Sequence, residues 1–330
     1  MSNNSEISLM IFAAVFLLTS TAFAKFSDFA SEVIDYNGSF GPLPYNDPCA
    51  VLGKPSTVCK NSGGMGSPPD PHFRIKLVEP AYNVDLDDEK VITTINPGEY
   101  ITVKFDHKVV DYPGNLYGKD FIVFGNSYFY ASGFVNDNTN MNTFPLTIGG
   151  EFEEIKISVS QDGLTWYSFD GGPYGDDLFP TQAYKWDREN AGWTDNEMDF
   201  TRPVDPNLDY SDFEYITAAA AIDLYGGSGG GTSFDLRDLV DFASLEIDPN
   251  TGYRWIQYVK LGGTPFSNGE IDAVSDVVAC GDPTHPYPVG DINHDCRVDF
   301  VDFAILSQDW LAGSDWDDLA ALVDNWLECI

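Results

Sequence analysis

Ile155-Lys156-Ile157-Ser158-Val159-Ser160-Gln161-Asp162-Gly163-Leu164-Thr165-Trp166-Tyr167-Ser168-Phe169 is the stretch whose reading decides the fold. Ile155, Ile157 and Val159 alternate with polar residues, and a period of two puts side chains on opposite faces of a strand. Thr165 to Phe169 repeats the pattern. Between them, Asp162-Gly163 supplies the positive φ that a tight two-residue hairpin turn needs. The stretch therefore predicts two antiparallel strands with one apolar face, which must be covered by a second layer.

Working outward, Lys90 to Ile95, Tyr100 to Phe105, Asp120 to Phe124 and Tyr253 to Leu261 are β-branched, aromatic or alternating in the same way, and Gly269 to Val274 leads into a last strand ending at Cys280. Short strands separated by Gly/Pro turns, with almost no amphipathic helix in the body, predict a mostly β chain built as a β-sandwich. Trp166 alternates within its strand and is expected in the core, as is Trp255. Phe26 to Pro80, rich in Gly, Pro and Asn, reads as an irregular N-terminal wrap. Residues 170–215 read as a long loop studded with aromatics. Gly226-Gly227-Ser228-Gly229-Gly230-Gly231 reads as a flexible hinge. It fits the G-x-S-x-G nucleophile pattern only by composition, since the strand–turn–helix context of that motif is missing.

The chain has 330 residues, with 52 acidic side chains against 17 basic ones and a formal charge of −35. Such a balance repels phosphate backbones and anionic bilayers, so nucleic-acid binding is excluded as a function class. Leu9 to Leu18 is an apolar run followed by Ala22-Phe23-Ala24, the pattern of a cleaved export signal. The expected organisation is a signal peptide at 1–24, a β-sandwich at 25–281, a Pro-rich linker at 282–289 and a small module at 290–330. No membrane span is expected in the mature chain, which is read as secreted, extracellular or held at the cell surface. Five cysteines in an oxidising compartment should pair. Cys49 and Cys59 close a short loop and are the expected bridge, leaving the pairing of Cys280, Cys296 and Cys329 open.

The C-terminal module states its chemistry in Gly290-Asp291-Ile292-Asn293-His294-Asp295-Cys296-Arg297-Val298-Asp299-Phe300-Val301-Asp302-Phe303. Asp291, Asn293, Asp295, Asp299 and Asp302 fall at positions 1, 3, 5, 9 and 12 of a twelve-residue loop, the spacing that turns side-chain oxygens inward on a calcium ion (Ca2+). Phe303, Leu306, Trp310 and Leu311 then recur sixteen residues later as Leu319, Leu322, Trp326 and Leu327. Each set forms one apolar stripe on a helix. A unit this small needs a staple, which calcium and a cysteine bridge would supply.

Residues 290–330 resemble a type I dockerin, a duplicated calcium-loop-plus-helix module. The resemblance implies that Asp291, Asn293, Asp295 and Asp302 act as side-chain ligands, Arg297 through its carbonyl, and Asp299 directly or through water. It also implies a cohesin-like scaffold or surface protein as partner. The second repeat departs from the pattern, because only Ala312, Gly313 and Ser314 separate Leu311 from Asp315. In the body, Ile101 to Asp106, Lys119 to Asn126, Ile157 to Trp166, Phe234-Asp235-Leu236 and Gly269 to Val274 resemble segments that occur in this order in bacterial cell-surface proteins with a jelly-roll, galactose-binding-like fold. That resemblance implies a fold and a location more than a reaction, and the main expectation is a secreted, non-catalytic protein that holds a ligand, carbohydrate being the expected class. Two alternatives remain open: an O-glycosyl hydrolase or accessory protein in polysaccharide breakdown, and a purely structural surface protein. No spacing of acids singles out a catalytic pair.

Two further candidate sites follow from residue chemistry. Asp235, Asp238, Glu270 and Asp272 lie beside Gly-rich turns at strand ends, where hard oxygens suit a second calcium ion. Trp186, Trp193, Tyr174 and Tyr184 stud the long loop, and aromatic faces of this kind stack on sugar rings.

Overall fold

The structure, a computed structural model, describes residues 27–61, 70–278, 287, 289–293, 298–308, 310 and 316–326. The expected signal peptide lies outside them, as do Cys280, Asp295, Cys296, Arg297 and Cys329. In chain order the strands are β1 Glu32–Asn37, β2 Val58–Asn61, β3 Asp70–Arg74, β4 Thr93–Ile95, β5 Tyr100–Val110, β6 Phe121–Gly125, β7 Tyr128–Ala131, β8 Leu146–Glu151, β9 Ile155–Ser160, β10 Tyr167–Ser168, β11 Tyr184–Asp187, β12 Gly192–Glu197, β13 Thr232–Phe234, β14 Trp255–Gly263 and β15 Gly269–Asp276. The helices are α1 Ala218–Leu224, α2 Phe300–Gln308 and α3 Trp316–Asp324.

The fold is mostly β, with antiparallel sheets. Five strands form one sheet in the order β1-β5-β14-β9-β10, and four form another in the order β13-β6-β15-β4. Alternation explains how the two share a core. Ile101, Val103 and Phe105 of β5, Val259 and Leu261 of β14, and Ile157 and Val159 of β9 are buried in one cluster with Phe121 and Val123 of β6, Phe234 of β13 and Val274 of β15. Phe121 stacks on Phe234 with ring centroids 4.7 Å apart and planes 6° from parallel.

The second sheet is buried on both faces. Ile122 and Phe124 of β6 and Ala273 of β15 turn the other way, into a separate cluster with Phe129, Phe213, Tyr225 and Trp186. A strand covered on both sides reads as a continuous apolar run, which is why Phe121-Ile122-Val123-Phe124 lacks alternation. The 170–215 segment builds part of that second layer, through the hairpin β11–β12 and residues up to Phe213. α1 closes the layer, its start capped by Thr217, whose hydroxyl accepts from Ala220 N at 3.2 Å.

Several expectations are corrected. The N-terminal wrap contributes a true edge strand, β1, paired with β5. The 161–166 connection is longer than a two-residue turn. Gly163 has φ 73°, and the Asp162 carboxylate folds the chain by accepting from Leu164 N at 2.8 Å and Thr165 N at 2.7 Å. Cys49 and Cys59 do not bridge: both are free thiols, Cys49 exposed and Cys59 buried against Phe73. The 226–231 segment is no hinge, since Ser228 to Gly231 are buried. At Gly231, with φ 81°, a Cβ would stand 2.4 Å from Ile122 Cγ2, so only glycine fits.

α2 and α3 form a separate small cluster of Val298, Leu306 and Leu322, flanked by Trp310, Leu319 and Trp326. Among the described residues no helix is long and apolar enough to cross a membrane.

Candidate functional site

In the C-terminal loop, Asp302 sits in the first turn of α2, fully buried. Its Oδ1 accepts from Ile292 N at 2.7 Å and Asn293 N at 3.2 Å, and its Oδ2 accepts from Asp299 N at 2.9 Å. The last residue of the motif thus draws the start of the loop onto the helix. Burial would raise the Asp302 pKa, but the backbone N–H donors outweigh it and hold the carboxyl below its ordinary range. Asp291 is buried too, and Asp299 Oδ1 accepts from Val301 N at 2.7 Å, capping α2. Asp291 and Asp302 are thus two carboxylates of one loop withdrawn from water, with Asn293 and Asp299 on the same short segment, and oxygen donors are the type a hard cation takes. Asp302 gathers the backbone N–H groups of Ile292, Asn293 and Asp299 around its carboxylate, but among the described residues Asp291, Asp299 and Asp302 do not form a group of acids with oxygens within 4.8 Å of one another. Asp295 and Arg297 are not among the described residues.

The helix pair leaves several large apolar side chains exposed. Phe300 is 74% and Trp316 70% exposed, with Val301, Phe303 and Val323 also exposed. Phe303, Leu306, Ser307, Trp310 and Leu319 line a groove of about 300 Å³.

The four sandwich acids expected to share an ion do not converge. Asp272 is buried and bonded to Ser56, accepting from its N at 2.8 Å and its Oγ at 3.0 Å, and burial pushes its pKa up to about 7. Asp238 is exposed, 3.8 Å from Lys119 Nζ. Glu270 joins Glu153 and Asp176, and Asp235 joins Asp111 and Asp120; within each trio carboxylate oxygens lie within 4.8 Å of one another. In the first trio Asp176 occupies the space above Gly125, where a Cβ would stand 2.1 Å from its Oδ1. Asp176 accepts from Ser127 N and Glu270 N, both at 2.8 Å. Burial nonetheless pushes its pKa up to about 8, and burial followed by a hydrogen bond with Glu270 raises Glu153. Sequence reasoning missed Asp111, Asp120, Glu153 and Asp176, because an acid that closes on another from a distant strand leaves no local spacing.

The expected sugar platform is also corrected. Trp186 is buried in the second core, packed edge-to-face on Trp193 at 4.9 Å across the β11–β12 pair, and donates Nε1–H to Asn142 Oδ1 at 3.0 Å. Tyr184 is half-buried beneath the Arg74 guanidinium, 5.3 Å from the ring centroid, and donates to Thr57 Oγ1. Tyr174 is half-buried in the preceding loop. The two tryptophans expected in the core lie instead on the outer face of the five-stranded sheet: Lys260 Nζ stands 4.0 Å over Trp166, and Lys108 Nζ 4.2 Å over Trp255. Lys260 also covers Tyr100 at 5.0 Å, and Lys104 covers Tyr258 at 5.8 Å. Their outward side alternates with the buried residues of β5 and β14, as the pleat requires.

Ser228 of the Gly-rich motif is structural. Its hydroxyl donates to Arg202 O at 2.6 Å and accepts from Gly230 N at 3.0 Å. A buried cation, Lys76, was legible only as a break in the run Ile75-Lys76-Leu77. Its Nζ lies 3.2 Å from Asp137 Oδ1 and 3.6 Å over the Phe73 ring, and burial lowers its pKa against the pull of Asp137.

No protein-family model matches the chain, and no curated protein is similar to it at a meaningful level.

Proposed function

We propose that the protein is an exported, non-catalytic β-sandwich of the galactose-binding-like type that holds a carbohydrate. On this reading its C-terminal loop and helix pair dock it, in a calcium-dependent way, onto a cohesin-like surface partner. The observation that carries the reading is the exposure of the large apolar side chains Phe300, Phe303 and Trp316 on α2 and α3, in the same module as a loop that closes on Asp302. Exposed apolar patches of this sort mark interaction surfaces. Calcium would be held by Asp291, Asn293, Asp295, Asp299 and Asp302 with the Arg297 carbonyl. When bound, it would fix the loop and hence the relative placement of the two helices.

The carbohydrate half of the reading moves from the β11–β12 hairpin to the outer sheet face. Trp166, Trp255, Tyr100 and Tyr258 there combine ring faces with the ammonium donors of Lys260, Lys108 and Lys104.

The test of the tether is capture of a cohesin-bearing protein by the full chain with calcium and again with chelator. Calcium-dependent capture that falls with Phe303→Ser supports docking, and absence of capture in calcium overturns it. For the sandwich, glycan-array binding that falls with Trp166→Ala supports the ligand reading. Release of reducing sugar would turn the reading to an enzyme.

A further inference from the structure

Three segments meet at one end of the four-stranded sheet. Asp111 follows β5, Asp120 precedes β6 and Asp235 follows β13, and one carboxylate oxygen of each lies within 4.8 Å of the others. Oxygens around a calcium ion sit at about 2.4 Å, so any two ligands can be up to about twice that distance apart. The trio is already inside that limit. Asp120 is fully buried and Asp111 nearly so. Against the three carboxylates stands one bonded guanidinium, with Arg237 Nε 2.9 Å from Asp111 Oδ1. The neighbouring Lys119 ammonium lies 3.8 Å from Asp238, and its charge also reaches Asp235.

A second observation points to an ion. Asn115 is 6% exposed and its amide stands on the trio, donating from Nδ2 to Asp120 Oδ1 at 2.8 Å and to Val110 O at 3.4 Å. The amide oxygen on the same carbon is buried and accepts no hydrogen bond. A buried carbonyl oxygen with no donor is costly, and a cation beside it removes that cost. Amide and carboxylate oxygens are also the ligands that hard cations prefer. The carboxylates themselves accept N–H donors, Asp120 Oδ2 from Leu236 N and Asp235 Oδ1 from Arg237 N, both at 2.8 Å, so the unpartnered atom is the Asn115 amide oxygen.

We propose that Asp111, Asp120, Asp235 and the amide oxygen of Asn115 bind a divalent hard cation, calcium by their all-oxygen chemistry. The ion would tie the β5–β6 connection to the segment after β13. The site is separate from the C-terminal loop and does not depend on the docking reading.

The experiment uses the full chain with the C-terminal loop silenced by Asp291→Ala and Asp302→Ala, stripped with chelator and titrated with calcium by calorimetry and thermal unfolding. A retained calcium ion that raises the unfolding midpoint is expected. Asp235→Asn and Asn115→Leu should each weaken it by about tenfold or more, and Asn115→Asp, which keeps the oxygen, should preserve it. That last variant separates ligand loss from misfolding. No calcium bound by the silenced chain would overturn the proposal. So would an ion that survives Asp235→Asn and Asn115→Leu but is lost with Glu270→Gln.

Discussion

Replacing Asp302 by Asn keeps the side-chain shape and removes the charge, so its effect follows from the three backbone donors that Asp302 serves. The bond from Asp299 N to Oδ2 is lost outright, because the new amide presents N–H to N–H. A hydrogen bond to a charged group contributes about 1.5–3 kcal/mol, and a neutral one about 0.5–1.5 kcal/mol. Losing one and weakening those from Ile292 and Asn293 costs about 3–5 kcal/mol. The core beneath holds three fully buried apolar residues, Val298, Leu306 and Leu322. At roughly 1.5–3 kcal/mol per buried side chain, they cannot absorb that loss once chain entropy is set against them. The helix pair of the Asp302→Asn chain should therefore be cleaved in chelator by a protease that leaves the wild-type module intact, as read by intact mass. The pH dependence has a defined sign. Asp302 is depressed, so its contribution is present above the unfolded carboxyl pKa of about 4 and is lost as pH falls through its folded value. Wild-type protection should fade in acid, and the variant should show no such step. Equal protection of both chains at neutral pH would refute the reasoning.

Other outcomes follow from the body. Phe121→Ala removes a ring stacked on Phe234 inside the shared core and should destabilise the sandwich by about 3–5 kcal/mol in urea unfolding. Gly231→Ala should lower the unfolding midpoint clearly more than Gly226→Ala, since a Cβ at 231 meets Ile122 whereas nothing lies within 4 Å at 226; equal effects would restore the hinge. Asp176 and Asp272 are raised to about 8 and about 7, so their contribution is full below the unfolded pKa and lost as pH rises through those values. Chelated protein should unfold at lower urea at pH 8.5 than at pH 5, and Asp176→Asn should flatten that slope. Burial pushes the Cys59 thiol up to about 11, so native alkylation at pH 8 should label Cys49 and spare Cys59; a chain protected at both would indicate a bridge.

Much of the sheet architecture was legible because strands with one wet face advertise their period. Ile155 to Val159 gave β9 within a residue, and Tyr100 to Phe105 found the start of β5. β5 was read short because Asp106, His107 and Lys108 break the apolar pattern, although His107 is buried between Asp106 and Asp276 at 2.9 and 2.8 Å. Trp186 lies in a stretch whose composition reads as surface loop, whereas residues 170–215 supply much of a second core. For Trp166 and Trp255 the contrast runs the other way, since alternation fixes that a residue faces one side of the sheet but not which side is covered. The C-terminal motif stands out in the sequence because its oxygen-bearing residues lie within twelve positions. The acidic trios do not, because their members are brought together only by strand pairing between distant parts of the chain.

The strand order also bears on how the protein keeps to itself at high local concentration. The outermost strands are β1 and β10 in the larger sheet, and β13 and β4 in the smaller. Three of them run only two or three residues: Tyr167–Ser168, Thr232–Phe234 and Thr93–Ile95. The fourth, β1, is longer, but it carries Glu32 and Asp35 and slips register between Val33 and Asp35. A neighbouring chain seeking to extend either sheet would find a stub or a kinked, negatively charged margin, and such margins are how sheet proteins resist stacking into fibrils.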